Sequence, residues 1–228
     1  MASHELKTPL TPLALKLEAL TRAASSGPES PMARRLAPHV DVMRRQVKRL
    51  ADLVNDLLDV SNLRAGRLAL TLNPQQCDLA ALVRDVAGRF DTEAKRAGCE
   101  VHIDAPEPVP GAWDSSRLEQ VVTNLLANAV KYGPGHPVTL RVEEVEGRAR
   151  LTVRDAGIGI APENLQRIWG KFERAVSERH YGGLGLGLYI SRQIVEALGG
   201  TVKAESTLGQ GSTFIVELPL RSGAARSA

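Results

Sequence analysis

Apolar residues spaced four, three, four, three constrain this chain more than any other feature. Leu6, Leu10, Leu13, Leu17 and Leu20 follow that alternation, and after a break at Ser25-Ser26-Gly27-Pro28-Glu29-Ser30-Pro31 it resumes at Leu36, Val40, Met43, Val47, Leu50, Val54 and Leu57. The period is that of a coiled-coil or helix-bundle seam, so the spacing predicts two helices joined by a short loop as an antiparallel hairpin. A lone hairpin leaves one apolar stripe uncovered. Pairing of two copies into a four-helix bundle is the expected remedy.

The heptad pattern stops past Asn62. Leu63-Arg64-Ala65-Gly66-Arg67 reads as a hinge running into a short strand at Leu68, Leu70 and Leu72. Beyond it the sequence predicts helices over 78–95, 114–132 and 186–198, and strands over 100–103, 138–143, 150–154, 201–205 and 212–218. Helices with mostly antiparallel strand pairs imply an α+β sandwich. The expected domains are 1–66 for the hairpin and 67–221 for the sandwich, with 222–228 as a small polar tail that frays.

At 228 residues, 43% hydrophobic and 24% charged, the chain has the balance of a soluble protein. A net charge of +3 is spread along the chain rather than gathered into a basic arm, which argues against nucleic-acid binding. Cys77 and Cys99 are the only cysteines and show no zinc-ligand spacing, so a reducing, cytoplasmic setting is expected. The chain contains no apolar run of about 18 residues, so no membrane contact by this stretch is expected.

Several residue groups carry chemistry. His4 stands in Ser3-His4-Glu5-Leu6-Lys7-Thr8-Pro9-Leu10 and falls outside the leucine seam, where its ring is reachable. Glu5 beside it can hold the proton of one ring nitrogen and leave the other as a lone-pair nucleophile. Thr8 lies one turn later on the same face, and Pro9 bends the helix near His4. Far downstream, Asn124 and Asn128 are one helical turn apart and followed by Lys131 and Tyr132. Amide oxygens suit Mg²⁺, Lys131 suits phosphate charge, and Tyr132 offers a flat contact.

Asp155-Ala156-Gly157-Ile158-Gly159-Ile160 follows a predicted strand, where the aspartate can accept from an exocyclic adenine amine and Gly157 and Gly159 let the backbone approach the ring. Gly182-Gly183-Leu184-Gly185-Leu186-Gly187-Leu188 leads into a helix, a setting that favours phosphate oxygens without being a Walker loop. Between them lie Gly170-Lys171-Phe172-Glu173-Arg174 and a polar stretch to Tyr181, which reads as a lid.

In this order the motifs resemble the catalytic core of a two-component sensor histidine kinase over nearly the whole chain. The resemblance implies a hairpin dimer joined to an ATP-binding sandwich of the Bergerat type, shared with gyrase, mismatch-repair and chaperone ATPases. It implies that His4 is the phospho-acceptor, Glu5 its acidic partner, and Thr8 a residue that positions water for dephosphorylating the partner. Asn124 and Asn128 match the N-box, with Asn128 the foremost Mg²⁺ ligand and Asn124 the second, while Lys131 and Tyr132 match contacts to phosphate and adenine. Asp155, Gly157 and Gly159 match the first glycine box. Phe172 matches the F-box, Arg174 resembles the lid arginine that reaches the γ-phosphate, and Gly183, Gly185, Leu186 and Gly187 fall in the second glycine box.

The activity implied is autophosphorylation of His4 from ATP and Mg²⁺, then transfer to an aspartate of a response-regulator receiver domain, with phosphatase action on that regulator through Thr8. Rival readings are an ATP-driven clamp and a non-catalytic dimeric docking scaffold. The short stretch before His4 makes the chain look like an excised core or a truncated gene, with a membrane-anchored parent as one expectation and weakened autophosphorylation as another.

Overall fold

The computed structural model describes residues 72–173 and 185–220, together with Leu15, Glu18, Val40, Val42, Met43, Val47, Leu50 and Val54. The chain divides into two compact units, Met1–Asn62 and Leu63–Ala228.

In the first unit the eight described residues are all helical. Val40, Val47 and Val54 recur every seven residues; Val40 is buried and the other two are half-buried. Met43 and Leu50, the alternate seam positions, stay 48% and 49% exposed. Among the described seam positions, therefore, Val40, Val47 and Val54 are covered at least in part within one chain, and Met43 and Leu50 are not.

The second unit follows the order β1 (Gln75–Asp78), α1 (Leu79–Arg96), β2 (Val101–Asp104), β3 (Pro110–Trp113), α2 (Ser115–Tyr132), β4 (Val138–Val145), β5 (Arg148–Asp155), two short 3₁₀ turns, α3 (Gly187–Ala197), β6 (Thr201–Thr207) and β7 (Gly211–Pro219). Five strands form a sheet in the order β2-β4-β5-β7-β6, and β1 pairs with β3 in a separate ribbon. The β2–β4 pair is parallel and the remaining pairs are antiparallel. The α+β class expected from the sequence is what the chain adopts.

The helices pack against one face of the sheet, α1 against β2 and β4, α2 against β4 and β5, α3 against β6 and β7. Register explains how the strands build that face. One cross-sheet row is Val142, Leu151, Val216 and Val202, and the next is Leu140, Val153, Phe214 and Ala204. The last row is Val138, Asp155, Ser212 and Ser206, so the buried face turns polar at one end.

Helix α2 shows why the sequence reads so clearly here. Leu118, Val121, Val122, Leu125, Leu126, Ala129 and Val130 are buried at helical spacing, and each fully buried leucine contributes about 1.5–3 kcal/mol relative to exposure. Asp114 caps the helix, its Oδ1 accepting from the Arg117 amide at 3.1 Å. Its Oδ2 accepts from the Asn73 amide at 3.0 Å, which pins the incoming chain to the same cap. Asp78 does the parallel task for α1, accepting from the Ala80 amide at 3.0 Å and from Val109 across the ribbon at 2.8 Å.

Two strands went unpredicted. β1 and β3 are four residues each, and β3 begins Pro110-Gly111, a pair that signals a turn. Gly111 is required there because the Trp113 indole folds across it: a Cβ would lie 2.2 Å from that ring. Trp113 is fully buried and its Nε1 donates to the Pro219 carbonyl at 2.8 Å. Of the short strand expected at Leu68, Leu70 and Leu72, the first two residues lie outside the described residues, and Leu72 belongs to no strand. The hinge at 63–67, the loop near Gly27 and the tail at 222–228 also lie outside them.

Candidate active site

Helix α2 is the spine of the site. Asn124, Asn128 and Tyr132 follow one another at four-residue intervals on it, so they line one face, and both asparagines are half-buried. Toward the middle of the helix, Asn124 Nδ2 donates to the Gly187 carbonyl and to Ser191 Oγ, both at 3.3 Å. The Asn124 amide nitrogen thus ties α2 to the first turn of α3, and its carbonyl oxygen is the part left to serve a ligand. Gly187 lies in contact with this amide, a Cβ there standing 3.6 Å from Asn124 Cγ, which is ordinary van der Waals distance.

The start of α3 has no side-chain cap, and Gly185 just before it is left-handed with φ +70°. Leu186, at the cap position, is buried and anchors the turn in the core. First-turn N–H groups without a side-chain cap favour an anion.

At its other end α2 meets the loop after β5. Ile158 N–H donates to the Tyr132 carbonyl at 3.1 Å. A Cβ on Gly157 would fall 2.1 Å from that same carbonyl oxygen, and one on Gly159, whose φ is +66°, would fall 2.1 Å from the Thr207 carbonyl. The sequence reading gave these glycines the task of admitting a ligand ring. In the structure the protein's own backbone occupies that close approach, so the glycines wedge the loop between α2 and the β6–β7 turn.

Asp155 ends β5 within the buried face and is 5% exposed. Its Oδ1 accepts from the Gly157 amide at 2.9 Å. Burial pushes its carboxyl above the ordinary value of 3.8, with backbone N–H groups of Gly157 and Ser212 pulling in the opposite direction. Lys131 Nζ stands 4.7 Å from the centre of the Tyr132 ring, a cation–π contact at the end of α2.

Phe172 is 56% exposed and left-handed with φ +61°, a conformation that costs a bulky residue about 1–3 kcal/mol. The anchor of its segment is Trp169, buried and edge-on to Phe214 with ring centres 6.1 Å apart. Lys171 Nζ lies 4.9 Å from the Tyr189 ring on α3, and Arg167 pairs with Glu173 at 2.8 Å. His4, Glu5, Thr8, Arg174, Gly183 and the lid stretch 175–181 lie outside the described residues.

The site contains residues the sequence did not disclose. Ser191 is buried on α3 among Ile190, Ile194 and Val195, and its spacing of four from Gly187 was the available signal. Trp169 carried only its bulk. Ser206 and Ser212 become visible only through strand register.

Residues 113–222 match the family described as Histidine kinase-, DNA gyrase B-, and HSP90-like ATPase, and residues 1–66 match the His Kinase A (phospho-acceptor) domain. The two matches take in the nucleotide-type site on α2 and the stretch containing His4. The chain belongs to the sensor histidine kinases. Sensor protein SrrB of Staphylococcus aureus (strain N315) is 33% identical over 220 residues, which is 95% of this chain and 36% of that relative. This histidine kinase core therefore spans about a third of the length of the curated relatives it matches.

Among solved structures, full-length ShkA in complex with AMPPNP is 32% identical with a TM-score of 0.73, covering 98% of this chain and 46% of that one. The Acinetobacter baumannii histidine kinase AdeS is 26% identical with a TM-score of 0.66, covering 95% and 98%. The histidine kinase core thus carries an ATP-binding domain of the gyrase and HSP90 type. Among its described residues no helix is long and apolar enough to cross a membrane.

Proposed function

We propose that this core autophosphorylates His4 from ATP and passes the phosphoryl group to an aspartate of a response-regulator receiver domain. One observation carries the reading: α2 is hydrogen-bonded through Asn124 to the start of α3 and through the Tyr132 carbonyl to the Asp155 loop. A single rigid element thereby joins an acceptor suited to an adenine amine to a helix start suited to phosphates. In this reading residues 1–66 form the phosphotransfer hairpin, 67–221 the ATP-binding domain and 222–228 a tail, and the core works as a homodimer in the cytoplasm.

Each residue has a task. Asp155 accepts from the exocyclic amine, while Gly157 and Gly159 hold the loop that carries it. Tyr132 packs beside the base, and Lys131 with Arg174 balances phosphate charge. The second glycine box, Gly183, Gly185, Leu186 and Gly187, presents backbone donors to the triphosphate, and Phe172 opens the lid segment.

Among the described residues no cluster of three His, Cys, Asp or Glu side chains exists to cage a metal. The donor set fits Mg²⁺ that arrives with the triphosphate, because that ion keeps its waters and phosphate ligands and needs few protein oxygens. Asn128 would supply one oxygen and the carbonyl of Asn124 another. When bound, Mg²⁺ supplies charge neutralisation along the triphosphate.

His4 attacks the γ-phosphorus through one ring nitrogen, the bond to the bridging oxygen breaks, and ADP leaves. Glu5 holds the proton on the other ring nitrogen. Positioning and charge stabilisation do most of the work in such a transfer. Thr8 orients water for hydrolysis of the phosphorylated regulator.

Incubation with γ-labelled ATP and Mg²⁺ should place on the protein a label that survives alkali and is lost in acid. The His4→Gln variant should take up no label while its ATP affinity stays unchanged. Acid-labile label on that variant would overturn the assignment.

A further inference from the structure

The polar end row of the sheet has a hydrogen-bond pattern that fixes a proton. Ser206 Oγ accepts from the Ile160 amide at 2.8 Å and donates to the Gly211 carbonyl at 2.6 Å. Ser212 Oγ lies 3.0 Å from it, directly across the β6–β7 ladder. A serine hydroxyl has one proton and two lone pairs. With the Ser206 proton on Gly211 and one lone pair taken by Ile160, only an acceptor site remains for Ser212. The Ser212 hydroxyl must therefore be the donor of that bond, and its own proton is directed at Ser206.

What Ser212 still offers is lone pairs. The next residue in the row is Asp155, whose carboxylate is an acceptor held by the amides of Gly157 and Ser212. The row therefore ends in acceptors alone. Adenine carries an amine donor at the ring position where guanine carries a carbonyl acceptor. Ser206 also clasps the loop itself, since Ile160 lies five residues after Asp155 and Gly209 N–H donates to the Ile158 carbonyl at 2.8 Å.

We propose that Ser206 is a positioning residue that sets nucleobase selectivity, making the pocket accept an amine and reject a carbonyl by fixing the Ser212 proton and the loop after Asp155. This rests on the reading of Asp155 as the adenine contact. Removing the Ser206 hydroxyl frees the Ser212 proton and releases the Ile160 amide, so the acceptor-only end of the row and the loop after Asp155 are no longer fixed.

The test is competitive titration of ATP and GTP against the whole chain, its Ser206→Ala and Ser206→Thr variants, the Ser206→Ala/Ser212→Ala double variant, and Asp155→Asn, with thermal melting of each. Loss of one hydrogen bond's discrimination should lower the ATP-to-GTP affinity ratio of Ser206→Ala by about tenfold. Ser206→Thr keeps the hydroxyl and should keep the ratio. The gain in GTP affinity should vanish in the double variant, which has no proton to turn.

A folded Ser206→Ala protein with an unchanged ratio, or with equal losses for both nucleotides, overturns the proposal. Ser206→Gly also removes the hydroxyl and gives the same readout should the alanine variant fail to fold. Asp155→Asn separates the two levels: a ratio that stays at the wild-type value there refutes the adenine reading itself, and the role of Ser206 with it.

Discussion

Burial makes the charged form of Asp155 costly, and two backbone amides offset part of that cost. Desolvation raises its folded-state pKa above the unfolded value, so its contribution to stability is greatest below the ordinary carboxylate value of 3.8 and is lost as pH rises through the raised one. The Gly157 and Ser212 amides favour the charged form and oppose that shift. In the proposed adenine contact, nucleotide binding runs the opposite way, because only the ionised group is a full acceptor for an amine. Affinity for a fluorescent ATP analogue should therefore fall on acidification, with a midpoint above 3.8, while the Asp155 term in stability rises over the same window. Equilibrium titration from neutral pH downward checks this, and Asp155→Asn should lack the step.

At the scale of elements, α2 depends on its first turn. Asp114→Ala removes the cap and also the acceptor for the Asn73 amide, so the loss should approach the upper end of cap effects, about 2 kcal/mol. Urea denaturation of the second unit's transition, compared with wild type, measures it. Among the described residues of that unit, three helices and five strands could be read in the sequence, because a face such as Leu118 to Val130 repeats at the helical period and these strands alternate. β1 and β3 could not, since Gln75-Gln76-Cys77-Asp78 lacks the apolar alternation that Val101 and Ile103 give β2, and Pro110-Gly111 speaks for a turn. The site was readable where neighbours along the chain form it, as with Asn124 and Asn128 or Asp155 to Gly159. It was not readable where register forms it, as with Ser206 against Ser212, or where a partner comes from another helix, as with Ser191 against Asn124. The glycines of the Asp155 loop were expected to admit a ligand ring, and the structure sets them against the carbonyls of Tyr132 and Thr207, which sequence neighbours do not disclose.

For the whole molecule, the seam of the first unit bears on assembly. Val40 is buried while Met43 and Leu50 are about half exposed, which is the distribution expected of a helix that packs once within its chain and once against a second copy. Met43→Glu combined with Leu50→Glu should convert the dimer to a monomer in light scattering after size exclusion. ATP affinity should be unchanged, because the nucleotide residues all belong to the second unit. Within that unit the loop wedged between α2 and the β6–β7 turn has a directional consequence. The N–H groups of Gly157, Ile158 and Ile160 are already bound to Asp155, Tyr132 and Ser206. Those groups are occupied, whereas the opening turn of α3 lacks a side-chain cap. In the proposed function the site is thus a one-way slot, with a base end at Asp155 and a phosphate end at α3 that a nucleotide cannot exchange.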